Sequence, residues 1–314
     1  MTTIVARRHF YKFYLSIIFG TLFFVTLATF LLFIYIKSVG KEQLMPSRIL
    51  MPVFSIVCYF FAAYTLYRYI KNVPKIELNK NFIAFNKEVF ALCDIKSVVF
   101  TGKRPFKYLV DFPMEAATLT FNSGKTKYIF DEMYANSAEI KSFLKHQVID
   151  KTEFFPTIVP LPDSNIVEGD SYVIFRGEQL TSIRGLMLWG FIVFIVYLLI
   201  SVKSPNPSAS FFIVSGFAVF WFILFSYQMH YFKVSDNYFI VRNHNFFWKK
   251  KVYKISDIKE VAFETQSKMP YCLRIITKDF RNELYPASTL SDAMWLTLKE
   301  KLEGYNINVR NECV

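Results

Sequence analysis

The side chains able to move protons at neutral pH are His9, His146, His230 and His244, and they are dispersed along the 314 residues. His9 and His230 both border apolar runs, so a membrane-embedded hydrolase could draw on them. An amphipathic ring at headgroup level accounts for both more simply. The carboxylates Asp94, Asp131 and Glu132 fall near strand ends and turns, where acids are ordinary. Cys58, Cys93, Cys272 and Cys313 include no Cys-x-x-Cys pair, which argues against a zinc centre or a disulfide framework. The chain also lacks G-x-x-x-x-G-K-[ST], H-E-x-x-H and G-x-S-x-G. The expectation is a protein that is not an enzyme and uses no cofactor or metal.

Binding chemistry is better represented. The stretch FFWKKKVYK, Phe246 to Lys254, interleaves aromatic residues with Lys249, Lys250, Lys251 and Lys254. With Trp248 these lysines form a candidate surface for anionic lipid or a protein partner, at about 1 kcal/mol per Lys near a charged bilayer. The same run also reads as a solvated strand whose lysines deter edge pairing. The formal net charge is +12, but the basic residues are spread over several regions with no recognised nucleic-acid module. Nucleic acid is therefore not expected as a partner.

Four apolar runs supply the setting. Phe13–Ile36, Ile49–Tyr67, Gly185–Val202 and Ala209–Phe232 contain no Asp, Glu, Lys or Arg. At about 1.5 Å per residue, each can cross a hydrocarbon core of about 30 Å as a helix. The first is too long for a signal h-region and has no small-x-small site before KSVGKEQ, so it is read as a retained span. Arg7, Arg8, Lys12, Arg68, Lys71, Lys75, Arg176, Arg184 and Lys233 flank one side of the spans. They outnumber Lys37, Lys41, Arg48 and Lys203 on the other, which predicts cytoplasmic termini and cytoplasmic polar regions. Spans without ionisable groups argue against ion-coupled transport. Gly20, Ala62, Ala63, Ser215 and Gly216 read as helix-packing positions.

The polar regions echo one another. DIKSV opens at Asp94 and DIKEV at Asp257, each after two spans and a pair of apolar strands with a polar turn. Beyond them ATLTF, NSGK and TKYIF answer to LRII, TKDF and RNELY. Each half ends in an amphipathic helix, Ser137–Gln147 and Asp292–Leu302. The first carries Asn136 and Glu139 in capping-box spacing, with Ile140, Phe143, Leu144 and Val148 on one face. The second follows Ser291 and presents Met294, Trp295, Leu298 and Leu302. The core of each sheet should receive Ile95 and Val98, or Ile258 and Val261, while the motif's Asp satisfies a neighbouring backbone N–H. Asp150–Thr181, broken by Pro156, Pro160 and Pro162, reads as an extended linker, with SYVIFRGEQ a short strand or an entry to the third span.

Two spans followed directly by strands, the DIK-x-V motif and a closing helix resemble the bacterial pleckstrin-homology-like membrane protein family. The resemblance implies a PH-like fold, a bent antiparallel sheet capped by its last helix, for Lys75–Gln147 and for Phe232 to about Asn308. It implies no phosphoinositide site, because the first hairpin holds only Lys80 in one copy and no basic residue in Ser235–Asn237. The expected architecture is an α+β membrane protein with four transmembrane helices in two hairpins (13–70 and 185–232). A PH-like β-domain follows each hairpin, at 71–149 and 233–314, with 1–12 a cytoplasmic N-terminus and 150–184 a linker. The expected function is a docking or assembly platform in the bacterial inner membrane, whose β-domains bind membrane or cytoplasmic proteins, copies of itself, or anionic lipid. The alternative is an enzyme or carrier with its site at the span–domain junction.

Overall fold

The computed structural model describes residues 3–39, 46–108, 111–154, 167, 169–201, 207–265 and 270–313. The chain divides into two compact units, Met1–Pro156 and Thr157–Val314. Both combine apolar helices with predominantly antiparallel sheet, an α+β organisation.

In the first unit β1 (Ile4–Val5) precedes a π-helical turn, Phe10–Leu15, that runs into α1 (Ser16–Ser38); α2 (Pro46–Asn72) follows. Small residues let these helices approach: Ala28 and Ala62 are buried, and the Ser55 hydroxyl donates to the Ala28 carbonyl at 2.8 Å. Ala63, expected to pack, instead faces outward. Phe19, Phe23, Phe30, Ile56 and Phe60 also project outward, an apolar surface suited to hydrocarbon. Phe10–Ser38 and Leu50–Asn72 are each long and apolar enough to cross a membrane.

The chain then enters β2 (Ile76–Leu78), β3 (Phe82–Phe85) and β4 (Glu88–Ala91). Ile76 and Leu78 are buried and Glu77 exposed, the period-two signature of a strand with one covered face. The sheet order is β1-β2-β3-β4, so the strand before the helices and the strand after them are neighbours. After a 3₁₀ turn come β5 (Ile95–Val99), β6 (Lys103–Lys107), β7 (Asp111–Phe121) and β8 (Thr126–Phe130). The long β7 pairs with β6 along its first half and lies between β5 and β8 along its second. The closing helix α3 (Ser137–Leu144) buries Ile140, Phe143 and Leu144, while Val148 lies half-buried in the π-helical turn that continues it. The expected capping box is absent. Asn136 meets Glu139 only side chain to side chain, Nδ2 donating to Oε2 at 3.2 Å, while its Oδ1 accepts from the Arg7 N–H and its Nδ2 also donates to the Val5 carbonyl, which ties down β1.

The second unit runs β9 (Val173–Phe175), α4 (Ile183–Ser201), α5 (Pro207–Tyr227), β10 (His230–Val234), β11 (Tyr238–Asn243) and β12 (Lys250–Lys254). A 3₁₀ turn leads to β13 (Ile258–Thr265), β14 (Tyr271–Thr277), β15 (Asn282–Pro286), α6 (Asp292–Gly304) and β16 (Asn308–Asn311). Its sheets are ordered β12-β11-β10-β9 and β15-β14-β13-β16, with β16 parallel to β13. Between them lies a core that includes Phe232, Phe239, Val261, Ile275, Trp295 and Leu298. Ser291 caps α6 as expected, its hydroxyl accepting from the Met294 N–H. Ile183–Ser201 is long and apolar enough to cross a membrane; the apolar helix Phe211–Tyr227 is shorter. The fourth apolar run was read too far, because the helix stops at Tyr227 and His230 already belongs to β10. Of the two readings of SYVIFRGEQ, the short strand is the one observed. Val173–Phe175 pairs with β10, while Pro156, Pro160 and Pro162 lie outside the described residues. Gly216, expected at a helix contact, meets no neighbour within 4 Å of a built Cβ.

The recurring pentapeptide does the same structural work in both units. Each Asp ends a 3₁₀ turn and each Ile starts a strand. In both, the ladder to the next strand slips one residue at the following Lys, a β-bulge at Lys96 and at Lys259. Ile258 and Val261 are buried, whereas Ile95 and Val98 are half-buried. The group that satisfies a neighbouring N–H is the Asp carbonyl, not its carboxylate: Asp94 O accepts from Asn122 N and Asp257 O from Lys278 N, both at 2.8 Å.

Candidate functional site

The β11–β12 hairpin carries the basic run, and its loop is fixed to the end of α5. Asn243 Oδ1 accepts from the N–H groups of Asn245 and Phe246, a side-chain turn that reverses the chain. Asn243 Nδ2 donates to the Ser226 carbonyl and Asn245 Nδ2 to the Ser226 hydroxyl, each at 2.7 Å. Gln179 Nε2 donates to Asn245 Oδ1 from the segment before α4. The loop therefore turns back along the helix, and the Phe246 ring lies 6.4 Å from that of Phe222. Phe247 and Trp248 project from the tip, 76% and 65% exposed, with ring centroids 5.0 Å apart. Lys249 lies beside them, its ammonium 4.8 Å from the Phe246 ring.

The expected lysine surface is split by the alternation of the strand. Trp248 and Lys249 stay together at the tip. Lys251 points to the other face of β12 and pairs with Glu283 at 2.8 Å. Tyr285 donates to the second Glu283 oxygen at 2.6 Å and meets the Tyr253 hydroxyl at 2.5 Å. Burial raises the Glu283 pKa, but its bonds to Lys251 and Tyr285 outweigh this and hold the carboxyl below its ordinary value. Lys251 thus belongs to a network linking β12 to β15. Lys254 lies exposed at the far end of the strand.

Lys250 belongs to a different group, which the linear sequence conceals. In register, Lys250 stands opposite Arg242 and Arg242 opposite Tyr231. Lys233 and Arg176 share that face of the β9–β12 sheet by the period-two rule, and Arg176 lies 5.3 Å over the Tyr231 ring. Burial, then Arg242, Lys250 and Arg176, depress the Lys233 pKa. Among the described residues, Arg176, Lys233 and Arg242 form no ion pair. From sequence only Lys250 reads as a binding residue, Arg176 and Lys233 reading as charges that flank the spans. Bringing the four together requires the register of four strands, β9 to β12.

The histidines separate by role. His230 is buried and its Nδ1 donates to the Pro286 carbonyl at 2.9 Å; burial pushes its pKa down to about 4. His244 is lowered to about 4 by burial and then by Arg176, and its Nε2 lies 3.3 Å from the Thr289 hydroxyl. Both are neutral at pH 7. In the first unit His9 caps the π-helical turn through Nδ1, and His146 contacts Thr152. The carboxylates are structural or exposed: Asp131 pairs with buried Lys141 at 2.5 Å, Glu132 lies 3.7 Å from Lys12, and Asp94 is exposed. No group of His, Cys, Asp and Glu able to hold a metal occurs among the described residues. A groove of about 330 Å³ on the first hairpin is lined by Ile17, Ile18, Leu22, Val25 and Leu66, with Thr21 its polar contributor.

Comparison of the chain with protein-family models and with curated proteins finds no match.

Proposed function

We propose that the chain is a four-span membrane protein whose two β-domains, read as PH-like copies of one repeated unit, form a cytoplasmic docking and assembly platform. The observation that carries this reading is the way each sheet grips its helical hairpin. β1 and β2 are paired neighbours on either side of α1 and α2, and β9 and β10 flank α4 and α5 in the same manner. A domain held at both ends of its anchor keeps little rotational freedom. Its exposed edges are presented to membrane-bound partners at high effective concentration. The partners are membrane or cytoplasmic proteins, including copies of this chain, together with anionic lipid.

The test is quantitative capture of the full chain from native membranes, followed by mass spectrometry. Charge reversal on exposed β-domain residues such as Lys87 and Lys254 should remove a specific partner, while Phe19→Ala and Phe60→Ala on the helices should leave it bound. The opposite dependence would place recognition in the spans and end the platform reading.

One observation favours a second reading, a carrier or enzyme at the span–domain junction. In the second unit Ser226, Gln228, His230 and Asn243 are buried where α5 meets the sheet. Gln228 Oε1 and His244 Nδ1 are buried there without a hydrogen-bond partner. On this reading Gln228→Leu abolishes solute flux in proteoliposomes. On the platform reading it leaves partner capture intact.

A further inference from the structure

The face of the β9–β12 sheet turned away from the core, where Tyr231 and Ile240 are buried beneath half-exposed cations, joins two features that the basic run alone did not reveal. The first is a set of cations on one face, Arg176, Lys233, Arg242 and Lys250, in which Arg176, Lys233 and Arg242 have no acidic partner among the described residues. The second is the aromatic tip. Phe246 packs level with Phe222, and five residues of helix from Phe222 to Tyr227 span about 7.5 Å at 1.5 Å each. If Tyr227 marks the surface end of the span, the tip reaches the headgroup–acyl boundary, at the depth of about 5–10 Å where interfacial apolar residues settle. Exposed Phe247 and Trp248 have the chemistry for that depth, and Lys249 beside them has the chemistry for the phosphate layer above.

We propose that this face is a seat for an anionic phospholipid, with Arg176, Lys233, Arg242 and Lys250 taking the headgroup phosphate and Phe247 and Trp248 inserted beside its acyl chains. Arginine suits the role because its planar fork donates two parallel bonds to phosphate oxygens. A protein occupant would leave the tip's alignment with the span unexplained, whereas a lipid accounts for both the cations and the aromatic depth. The site rests on the membrane reading above, but not on the platform's choice of protein partner.

The test uses the full chain reconstituted in phosphatidylcholine bilayers containing phosphatidylglycerol, with bromines on the acyl chains of one lipid or the other. The Trp248 signal is the fluorescence lost in Trp248→Phe, a change at an exposed side chain that leaves the fold in place. Brominated phosphatidylglycerol at equal mole fraction should quench that signal at least about twofold more than brominated phosphatidylcholine. Lys233→Gln/Arg242→Gln should erase the excess while quenching of Trp189 and Trp221 on the helices persists. Equal quenching by both lipids, or an excess that survives the double variant, overturns the proposal. So does loss of the excess on adding millimolar inorganic phosphate, which would assign the cations to a soluble anion. Trp248 beyond the reach of either lipid would assign the tip to water or a protein and overturn it too. If Trp189 and Trp221 also escape quenching, the membrane reading itself fails, a result distinct from failure of the lipid site alone.

Discussion

Lys141 has no exposed surface, and its charge is tolerable only because Asp131 lies 2.5 Å away. Removing the cation alone, as Lys141→Ala, leaves a carboxylate in a site that excludes water. The expected loss is about 3–5 kcal/mol, read as a fall in the unfolding midpoint. Lys141→Met with Asp131→Leu removes both charges and should recover most of it. His230 makes the complementary case, a base kept neutral by burial. Its pKa is about 4 in the folded protein against about 6.5 unfolded, so below pH 6.5 the unfolded chain takes up a proton that the folded one refuses. The stabilisation is complete above about pH 6.5 and is lost as the pH falls towards 4, by up to about 3 kcal/mol. His230→Asn keeps a donor for the Pro286 carbonyl and should flatten this part of the pH profile of thermal unfolding. An unchanged profile would mean that other groups govern it.

Turns show how two sequences meet one backbone demand. The turn after β7 places Gly124 at φ 79°, and the turn after β14 places Phe280 at φ 63°. Glycine adopts that conformation freely, whereas phenylalanine is held there by burial, with the Lys259 ammonium 4.4 Å from its ring. Gly124→Ala should cost about 1 kcal/mol from backbone strain, because a Cβ there meets nothing within 4 Å. Phe280→Gly relieves a similar strain but loses the packed ring, so it should destabilise by about 2 kcal/mol in denaturant titration. Several elements are legible in the sequence: α1, α2 and α4 as apolar runs, β2 and β3 as apolar stretches on either side of a polar turn, and α3 and α6 by their apolar faces. β1 and β16 have only two and four residues and exist because a distant strand offers a ladder, while the choice left open at SYVIFRGEQ resolves to the strand β9. Asn136 was misread because its best hydrogen-bond partners lie at the other end of the unit. The Lys249–Lys251 run was misread as one surface because consecutive residues of a strand face opposite ways.

At the level of the whole chain, the apolar helices and the polar sheets demand different solvents, and the boundary between them falls where the basic residues gather. Arg8 donates from Nη2 to the Val73 carbonyl at 2.6 Å just beyond α2, which fixes a cation at that end of the first hairpin. Arg176 and Lys233 stand at the sheet that follows the second. On the proposed reading, the preference for Lys and Arg on the cytoplasmic side would set the orientation, because moving such a group across the bilayer during insertion is unfavourable. The orientation can be read by cysteine labelling in a background without the four native cysteines, of which Cys93 is exposed and would confuse the result. Ser208→Cys, at the start of α5, should react with an impermeant maleimide added to intact cells. Lys125→Cys, on the turn between β7 and β8, should react only after the membrane is opened. Labelling of Lys125→Cys in intact cells, with Ser208→Cys protected, would invert the protein. The cation face would then meet the outer leaflet, and the cytoplasmic platform would have to be abandoned.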